Sequence, residues 1–230
     1  MTDTPRTLLE HAGASRRPGS FETSALVLID NQREYLASGR LPLTGIKGAI
    51  VEIGRLLALA RRDGTPVFHV VHHARSGAPL FDPDGPSSRI IEGLDSIPGE
   101  VVITKSLPNA FAGTDLHDQI GSTGRQELII AGFATHMCVS STVRGALDLG
   151  YRTTIVASAT ATRDLPDPLA NGDVIPAAVV QQGTLAALAD RFAIIVPDVE
   201  ALASSRPSMR VDTSQSRQRI DRDPTEALSR

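Results

Sequence analysis

Six short apolar runs recur along the chain, separated by longer stretches with helical spacing. The runs are ALVLI (25–29), PVFHVV (66–71), VVIT (101–104), ELIIA (127–131), TTIVA (153–157) and FAIIV (192–196). Their residues are almost uniformly apolar instead of alternating with polar ones, which is typical of parallel strands covered by helices on both faces. The pattern predicts an α/β fold built on six parallel strands.

Helices are predicted between these runs. The stretch 44–64 places apolar residues along one face and ends at Gly64, and 175–191 supplies the last long helix. A third helix is predicted over 135–150, starting at Thr135, which is a residue type that caps helix N-termini. The segment His72–Gly99 is instead rich in Pro and Gly and is too long for a simple connection, so it predicts a lid or pocket wall.

Polar sequence flanks this pattern at both ends. Residues 1–20 are rich in Arg, Gly, Ser and Pro, and residues 201–230 carry mixed charges with little apolar periodicity. We therefore expect an N-terminal tail over 1–20, one folded domain over 21–200 and a polar C-terminal tail over 201–230.

The composition narrows the class of ligand. The chain has 23 basic and 26 acidic residues interspersed along it, so it presents no basic run typical of nucleic-acid binding. One cysteine cannot close an intramolecular disulfide, and no apolar leader or spanning segment is evident, so we expect a cytoplasmic protein that does not enter a membrane. No G-x-G-x-x-G or P-loop follows a predicted strand. The expected ligand is a small molecule other than a dinucleotide or a nucleoside triphosphate.

Three chemically capable residues stand where predicted strands end. Asp30 follows the first strand, Lys105 follows the third, and Cys138 lies in the turn after the fourth. Ligands of open parallel α/β sheets bind beyond the carboxyl ends of the strands. We therefore expect these three side chains to meet in one pocket.

A thiol, a carboxylate and an ammonium are the parts of an acyl-transfer site. A free thiol has a pKa of about 8.5, which a nearby cation or a helix N-terminus can lower. The position of Cys138 in the first turn of a predicted helix, with Lys105 near it, therefore favours a thiolate nucleophile. Asp30 can take the thiol proton and return it to a leaving amine, and backbone N–H groups of the turn 132–135 are expected to donate to a developing oxyanion.

Each of these residues also has an ordinary structural interpretation. A lone Cys on an apolar helix face is usually a small buried hydrophobe, and an Asp at a strand end often caps the following loop. A Lys at a strand end is often solvated. The coincidence of all three at strand ends favours catalysis over separate structural roles.

The segments ALVLIDNQ, VITKSLPNAFAGTDL and ELIIAGFATHMCVSSTVRGALDLGY together resemble the isochorismatase-like cysteine hydrolases, over about residues 24–197. That family includes nicotinamidases, carbamoylsarcosine amidohydrolase and ureidoacrylate amidohydrolase. The resemblance implies a three-layer α/β/α fold whose parallel sheet has the strand order 3-2-1-4-5-6. It also implies a catalytic triad of Asp30, Lys105 and Cys138.

The resemblance implies further features around the nucleophile. The peptide bond between Phe133 and Ala134 is expected to be cis, and the amides of Ala134 and Cys138 are expected to form the oxyanion hole. A homodimer or homotetramer is also implied. The activity implied for a member that carries the cysteine is hydrolysis of a C–N bond in a small amide or carbamoyl compound, through a thioester intermediate.

Two other functions stay open. True isochorismatases cleave a vinyl ether without needing the cysteine, so an ether hydrolase that uses Asp30 and Lys105 alone is the nearest alternative. A non-catalytic binding protein with the same fold is the other.

The chain departs from nicotinamidases at their metal site. Those relatives bind a metal through an Asp-x-His after the second strand plus a further His, whereas this chain has VVHHARSG there, with His72 and His73 and no nearby Asp. Adjacent strand residues point to opposite faces and cannot readily share one ion, so we expect neither a metal nor another cofactor. Ser158 also stands where many relatives have Asp.

The same strand-end positions suggest which residues line a substrate pocket. The candidates are Gln32, Tyr35, His73, Phe111 and Phe133. Ordinary core packing is the alternative for Phe111.

Overall fold

The computed structural model describes residues 4–170 and 172–205. The strands in these residues are β1 (Ser24–Ile29), β2 (Val67–His72), β3 (Val101–Lys105), β4 (Glu127–Phe133), β5 (Arg152–Ala161), β6 (Leu165–Pro166), β7 (Val174–Ile175) and β8 (Ile194–Val196). The α-helices are α1 (Leu8–His11), α2 (Ile46–Arg62), α3 (Leu116–Ser122), α4 (Ser140–Asp148), α5 (Ala177–Arg191) and α6 (Val199–Ser204).

Six of the strands form one parallel sheet in the order β3-β2-β1-β4-β5-β8. Strands β6 and β7 pair with each other in a separate antiparallel ladder, so β8 is the sixth strand of the main sheet. The predicted α/β class and the strand order 3-2-1-4-5-6 are therefore confirmed. In this order β1 and β4 are neighbours, although a long stretch of chain separates them.

The two faces of the sheet are covered by different helices. Leu26 and Leu28 of β1 belong to the core cluster that contains the buried face of α2. Val27 and Ile29 belong to the cluster on the other face, with the buried residues of α4. Because both faces of β1 are covered, all six of its residues are buried, which explains why the run is uniformly apolar.

The helix predicted over 135–150 begins differently from the prediction. Residues Thr135–Val139 form a π-helical turn, and α4 starts only at Ser140. Ala134 is the N-cap of that turn, and the Thr135 hydroxyl is buried without a hydrogen-bond partner among the described residues. The prediction that Thr135 caps the helix is therefore wrong, and Cys138 lies in a π-helical turn, a feature that is frequent at functional sites.

Part of the expected N-terminal tail is folded. Thr7 and Glu10 form a capping box around α1, and the backbone N–H of Leu8 donates to Asp190 Oδ1 of α5 at 2.8 Å. At the other end, α6 extends past residue 200, and residues 206–230 of the expected C-terminal tail lie outside the described part of the chain. The domain boundaries at residues 20 and 200 stay predictions.

The segment predicted as a lid or pocket wall runs between β2 and β3 and contains one short 3-10 turn, Pro86–Ser88. It is attached to the chain that follows β1. The N–H of Phe81 donates to Glu34 Oε2 at 3.1 Å, and the N–H of Ile91 donates to the carbonyl of Asn31 at 2.8 Å. The segment therefore lies against the turn that follows Asp30.

Candidate active site

The structure brings Asp30, Lys105 and Cys138 together at the carboxyl edge of the sheet. Lys105 Nζ lies 2.9 Å from Asp30 Oδ2 and 3.3 Å from Cys138 Sγ. The exposed fractions of the three residues are 0%, 2% and 5% in the order Asp30, Lys105 and Cys138. Lys105 comes from β3, two strands away from β1, so its long side chain is what allows it to reach the other two.

Strand β4 approaches β1 closely just before the nucleophile. Gly132 pairs with Ile29 and has a φ of 118°, and a side chain at Gly132 would collide with the backbone carbonyl of Ile29. Only glycine combines this backbone conformation with such a close approach. The turn that carries Cys138 is thereby placed beside the end of β1, where Asp30 lies.

His72 is the third partner of the Lys105 ammonium, and the sequence analysis missed it. His72 Nδ1 lies 3.0 Å from Lys105 Nζ, and because an ammonium only donates hydrogen bonds, Nδ1 is the acceptor. His72 pairs with Lys105 in the ladder between β2 and β3. The signal that could have found it is the strand order, since β2 lies between β1 and β3 and its last residue therefore lies between Asp30 and Lys105.

Burial dominates the protonation of the site. It raises the pKa of Cys138 to about 12, helped by the nearby Asp30 carboxylate and opposed by Lys105. Burial also raises the pKa of Asp30, against the lowering effect of Lys105. The expectation that the helix N-terminus and Lys105 hold Cys138 as a thiolate is therefore wrong for the resting site. The sulfur carries its proton, and the thiol lies within 4.8 Å of the Asp30 carboxylate.

His72 is neutral in this environment. Burial and the adjacent Lys105 ammonium lower the pKa of His72 to about 4. With Nδ1 accepting from Lys105, the ring hydrogen is on Nε2. The ammonium thus donates to an imidazole nitrogen and to a sulfur and forms an ion pair with a carboxylate.

The peptide bond between Phe133 and Ala134 is cis, as the resemblance implied, and that prediction is confirmed. Ala134 is 5% exposed and is followed directly by the turn that carries Cys138. The assignment of the oxyanion hole to the amides of Ala134 and Cys138 stays a prediction.

Aromatic rings form one wall beside the triad. The Tyr35 ring lies 5.6 Å from Phe81 and 5.8 Å from Phe133, both edge to face, and Phe81 lies 4.8 Å from the His72 ring. Burial, and after it the charge of Asp30, raises the pKa of Tyr35 well above its ordinary value. No hydrogen bond of the Tyr35 hydroxyl occurs within the described residues. Phe81 was missed because it belongs to an irregular segment without a periodic pattern.

Gln32 has a structural role that differs from the predicted one. Its Nε2 donates to the carbonyls of His72 at 2.9 Å and Ser88 at 2.7 Å, and its Oε1 accepts from the N–H of His72 at 2.8 Å. Both amide hydrogens are used, and the side chain is fully buried. Gln32 therefore joins the end of β1 to β2 and to the irregular segment, and has no N–H left to donate to a substrate.

Two other pocket candidates make contacts that are structural. The ring of Phe111 stacks on Tyr151 with centroids 5.8 Å apart, which agrees with the packing alternative. His73 contributes its backbone, whose N–H donates to the carbonyl of Lys105 at 2.9 Å. Of the predicted pocket residues, Tyr35 and Phe133 are the two whose rings share the wall beside the triad.

The fold and this grouping define the protein as an α/β protein with a cysteine-centred site at the carboxyl edge of a parallel sheet. The model of the isochorismatase domain family matches residues 24–196. The chain belongs to the isochorismatase family.

Individual relatives cover most of the folded part. A secreted isochorismatase effector of Verticillium dahliae is 33% identical over 184 residues, which is 80% of this chain and 93% of that protein. The crystal structure of an isochorismatase from Pseudomonas putida is 44% identical with a TM-score of 0.80, and the match covers 84% of this chain and 97% of that one. A maleamate amidohydrolase of Pseudomonas putida is 30% identical over 156 residues, covering 61% of this chain and 73% of that protein.

These relatives bear on activity and location. The family includes hydrolases, among them amidohydrolases that act on C–N bonds, and one relative is named as a probable inactive nicotinamidase. No helix in the described residues is long and apolar enough to span a membrane. Because one relative is a secreted effector, the cytoplasmic location stays a prediction.

Proposed function

We propose that the protein hydrolyses a C–N bond of a small amide or carbamoyl compound through a thioester on Cys138. The observation that carries this proposal is the position of Cys138 Sγ, which is buried, within 4.8 Å of the carboxylate of Asp30 and 3.3 Å from the Lys105 ammonium. A nucleophile, its base and a cation thus lie close together before a substrate arrives. Relatives named as amidohydrolases support the C–N bond as the target.

The proposed reaction uses these groups in sequence. Asp30 takes the proton from Cys138 Sγ, and Lys105 stabilises the sulfur anion while it attacks the carbonyl carbon. Backbone N–H groups of Ala134 and Cys138 hold the oxyanion. The C–N bond breaks as Asp30 passes the proton to the leaving nitrogen. Asp30 then takes a proton from water, which attacks the thioester, and the proton returns to sulfur as the C–S bond breaks.

Asp30 is suited to this role because burial raises the pKa of its carboxyl, whereas Lys105 opposes that rise and keeps the carboxylate available. The lysine is in turn held by His72, whose neutral ring accepts one of its hydrogens. The sulfur therefore becomes nucleophilic only when Asp30 removes its proton. Such a site limits side reactions of the thiol in the absence of a substrate.

The substrate is expected to be small and partly apolar. The wall beside the triad consists of the rings of Tyr35, Phe81 and Phe133, and the Tyr35 hydroxyl supplies one polar group there. Rings at such a wall match a planar acyl group, and the hydroxyl can donate to a polar substituent.

The test is a screen of small amides with wild-type protein and Cys138→Ala. We expect turnover by wild type, at least a 1000-fold loss in the variant, and an acyl adduct on the wild-type protein in intact-protein mass spectrometry. Since the chain has one cysteine, an adduct that disappears in Cys138→Ala is assigned without further mapping. Full turnover by Cys138→Ala would favour the ether-hydrolase alternative. No turnover of any amide or ether, together with no acyl adduct on Cys138, would favour a binding protein.

A further inference from the structure

Three side chains converge on the ammonium of Lys105, and together they are a set of metal ligands. Lys105 Nζ lies 2.9 Å from Asp30 Oδ2, 3.0 Å from His72 Nδ1 and 3.3 Å from Cys138 Sγ. A carboxylate oxygen, an imidazole nitrogen and a thiolate sulfur are the ligand types that zinc takes in proteins. We propose that Asp30, His72 and Cys138 form a binding site for Zn²⁺ and similar ions, for which the ammonium of Lys105 competes with the ion.

This donor set differs from the one considered in the sequence. The pair His72 and His73 was rejected there because neighbouring strand residues face opposite ways. The structure instead combines one of them, His72, with Asp30 and Cys138 from two other strand ends. The site therefore arises from the order of the strands and not from a motif along the chain.

The spacing of the ligands agrees with a central tetrahedral cation. The three ligand atoms lie within 4.8 Å of one another. Tetrahedral contacts of about 3 Å, as made by an ammonium, place the partners about 4.9 Å apart, whereas zinc bonds of about 2.0–2.3 Å place them about 3.5 Å apart. An ion at the position of Nζ would thus need each ligand atom to move inward by about 1 Å. The fourth position would be left to water, as in open zinc sites.

Charge decides which cation occupies the centre. When a divalent ion binds, the Cys138 thiol releases its proton to solvent and a sulfur–metal bond forms, so the thiolate and the Asp30 carboxylate together neutralise the ion. The Lys105 ammonium cannot share the same point as the ion, and its side chain is 0% exposed, so the ion must displace a buried charge. The wild-type protein is therefore expected to bind the ion weakly, with the lysine as its competitor.

The substitution Lys105→Met tests the three ligands without the competing charge. The new side chain ends one atom short of the lysine nitrogen, so Lys105→Met removes the charge and frees the position of Nζ while keeping the apolar stem. The chain contains one other lysine, Lys47, which is exposed on α2. Lys47→Met is therefore a matched control for the same chemical change.

The test is a titration of the purified protein with Co²⁺, followed by displacement with Zn²⁺. Thiolate ligation of Co²⁺ gives a charge-transfer band in the near ultraviolet, so binding is measured without a substrate and independently of the proposed activity. We expect Lys105→Met to bind one equivalent at least about 100-fold more tightly than wild type and Lys47→Met. Adding His72→Asn should weaken that binding at least about 10-fold, whereas adding His73→Asn should not.

Two results would overturn the proposal. One is an affinity of Lys105→Met no higher than that of wild type. The other is an affinity that survives His72→Asn unchanged, because the thiol alone would then be the ligand. If Lys105→Met does not fold, the test uses proteins that keep Lys105 and measures how well Zn²⁺ protects Cys138 from iodoacetamide. Protection should be at least about 10-fold weaker in His72→Asn than in His73→Asn, and equal protection in these two variants refutes the site.

Discussion

Gln32 offers a direct comparison between a structural role and a substrate-binding role. The substitution Gln32→Met keeps the length and most of the volume of the side chain but removes its amide. Three buried contacts are lost, to the N–H and carbonyl of His72 and to the carbonyl of Ser88. The substitution therefore leaves polar backbone groups without partners at the point where β1, β2 and the irregular segment meet.

The expected loss of stability follows from these contacts. A buried polar group without a partner costs about 1–3 kcal/mol, and Gln32 is 0% exposed, so water does not replace its amide without local opening. We expect Gln32→Met to lower the free energy of unfolding by about 3–5 kcal/mol. That is a large fraction of the roughly 5–15 kcal/mol that stabilises a typical domain.

Urea denaturation followed by circular dichroism measures the loss, and Gln182→Met is the matched control because Gln182 is exposed on α5. The control should change stability by less than about 0.5 kcal/mol. A loss below about 1 kcal/mol in Gln32→Met, accompanied by a raised KM, would refute the structural assignment and restore Gln32 to the pocket.

Three further predictions concern protonation and binding. Because the pKa of Cys138 is raised to about 12, its alkylation by iodoacetamide should accelerate about tenfold per pH unit between about pH 7 and 9, and a rate that levels off below pH 8 contradicts this. Burial alone would raise the pKa of Glu100, but hydrogen bonds, chiefly from Arg61 and also from His69, lower it to about 2. The stabilisation by the Glu100 carboxylate is therefore present above about pH 4.5 and lost as the pH falls towards 2. Glu100→Gln should lower the free energy of unfolding by about 2–3 kcal/mol at pH 7 and by progressively less in acid. A difference from wild type that does not vary with pH in urea denaturation contradicts this prediction. Tyr35→Phe removes a hydroxyl for which no partner occurs in the described residues, so it should raise KM for the substrate about tenfold with stability unchanged, and an unaltered KM excludes Tyr35 as a substrate contact.

The candidate site was only partly predictable from the sequence. Asp30, Lys105 and Cys138 were found because each lies at the end of a recognisable strand or in the turn after it, and parallel strands end at the same edge. The structure shows that the three side chains lie close together, whereas their catalytic roles stay a prediction. The sequence analysis named His73 as the pocket residue and not His72. The choice between these neighbours depends on which face of the sheet each side chain lies on and on which residues of β1 and β3 lie beside it.

The direction in which the pKa of Cys138 shifts could not be predicted from the sequence either. The helix N-terminus and the nearby lysine were visible there, and both lower a thiol pKa. The opposing effects, burial and the Asp30 carboxylate, depend on how much water reaches the sulfur and on its distance from the carboxylate. These are properties of the packed site.

By itself, the sequence determined the α/β class and the strand-end positions of the reactive groups, since periodicity and strand ends are local patterns written in consecutive residues. The tertiary structure alone decided that His72 and not His73 holds Lys105, that Gln32 binds backbone, and that Phe81 joins the wall. The physical reason is that each of these depends on contacts between segments far apart in the chain. Such contacts are fixed by strand order and by the path of an irregular segment, neither of which has a periodic signature.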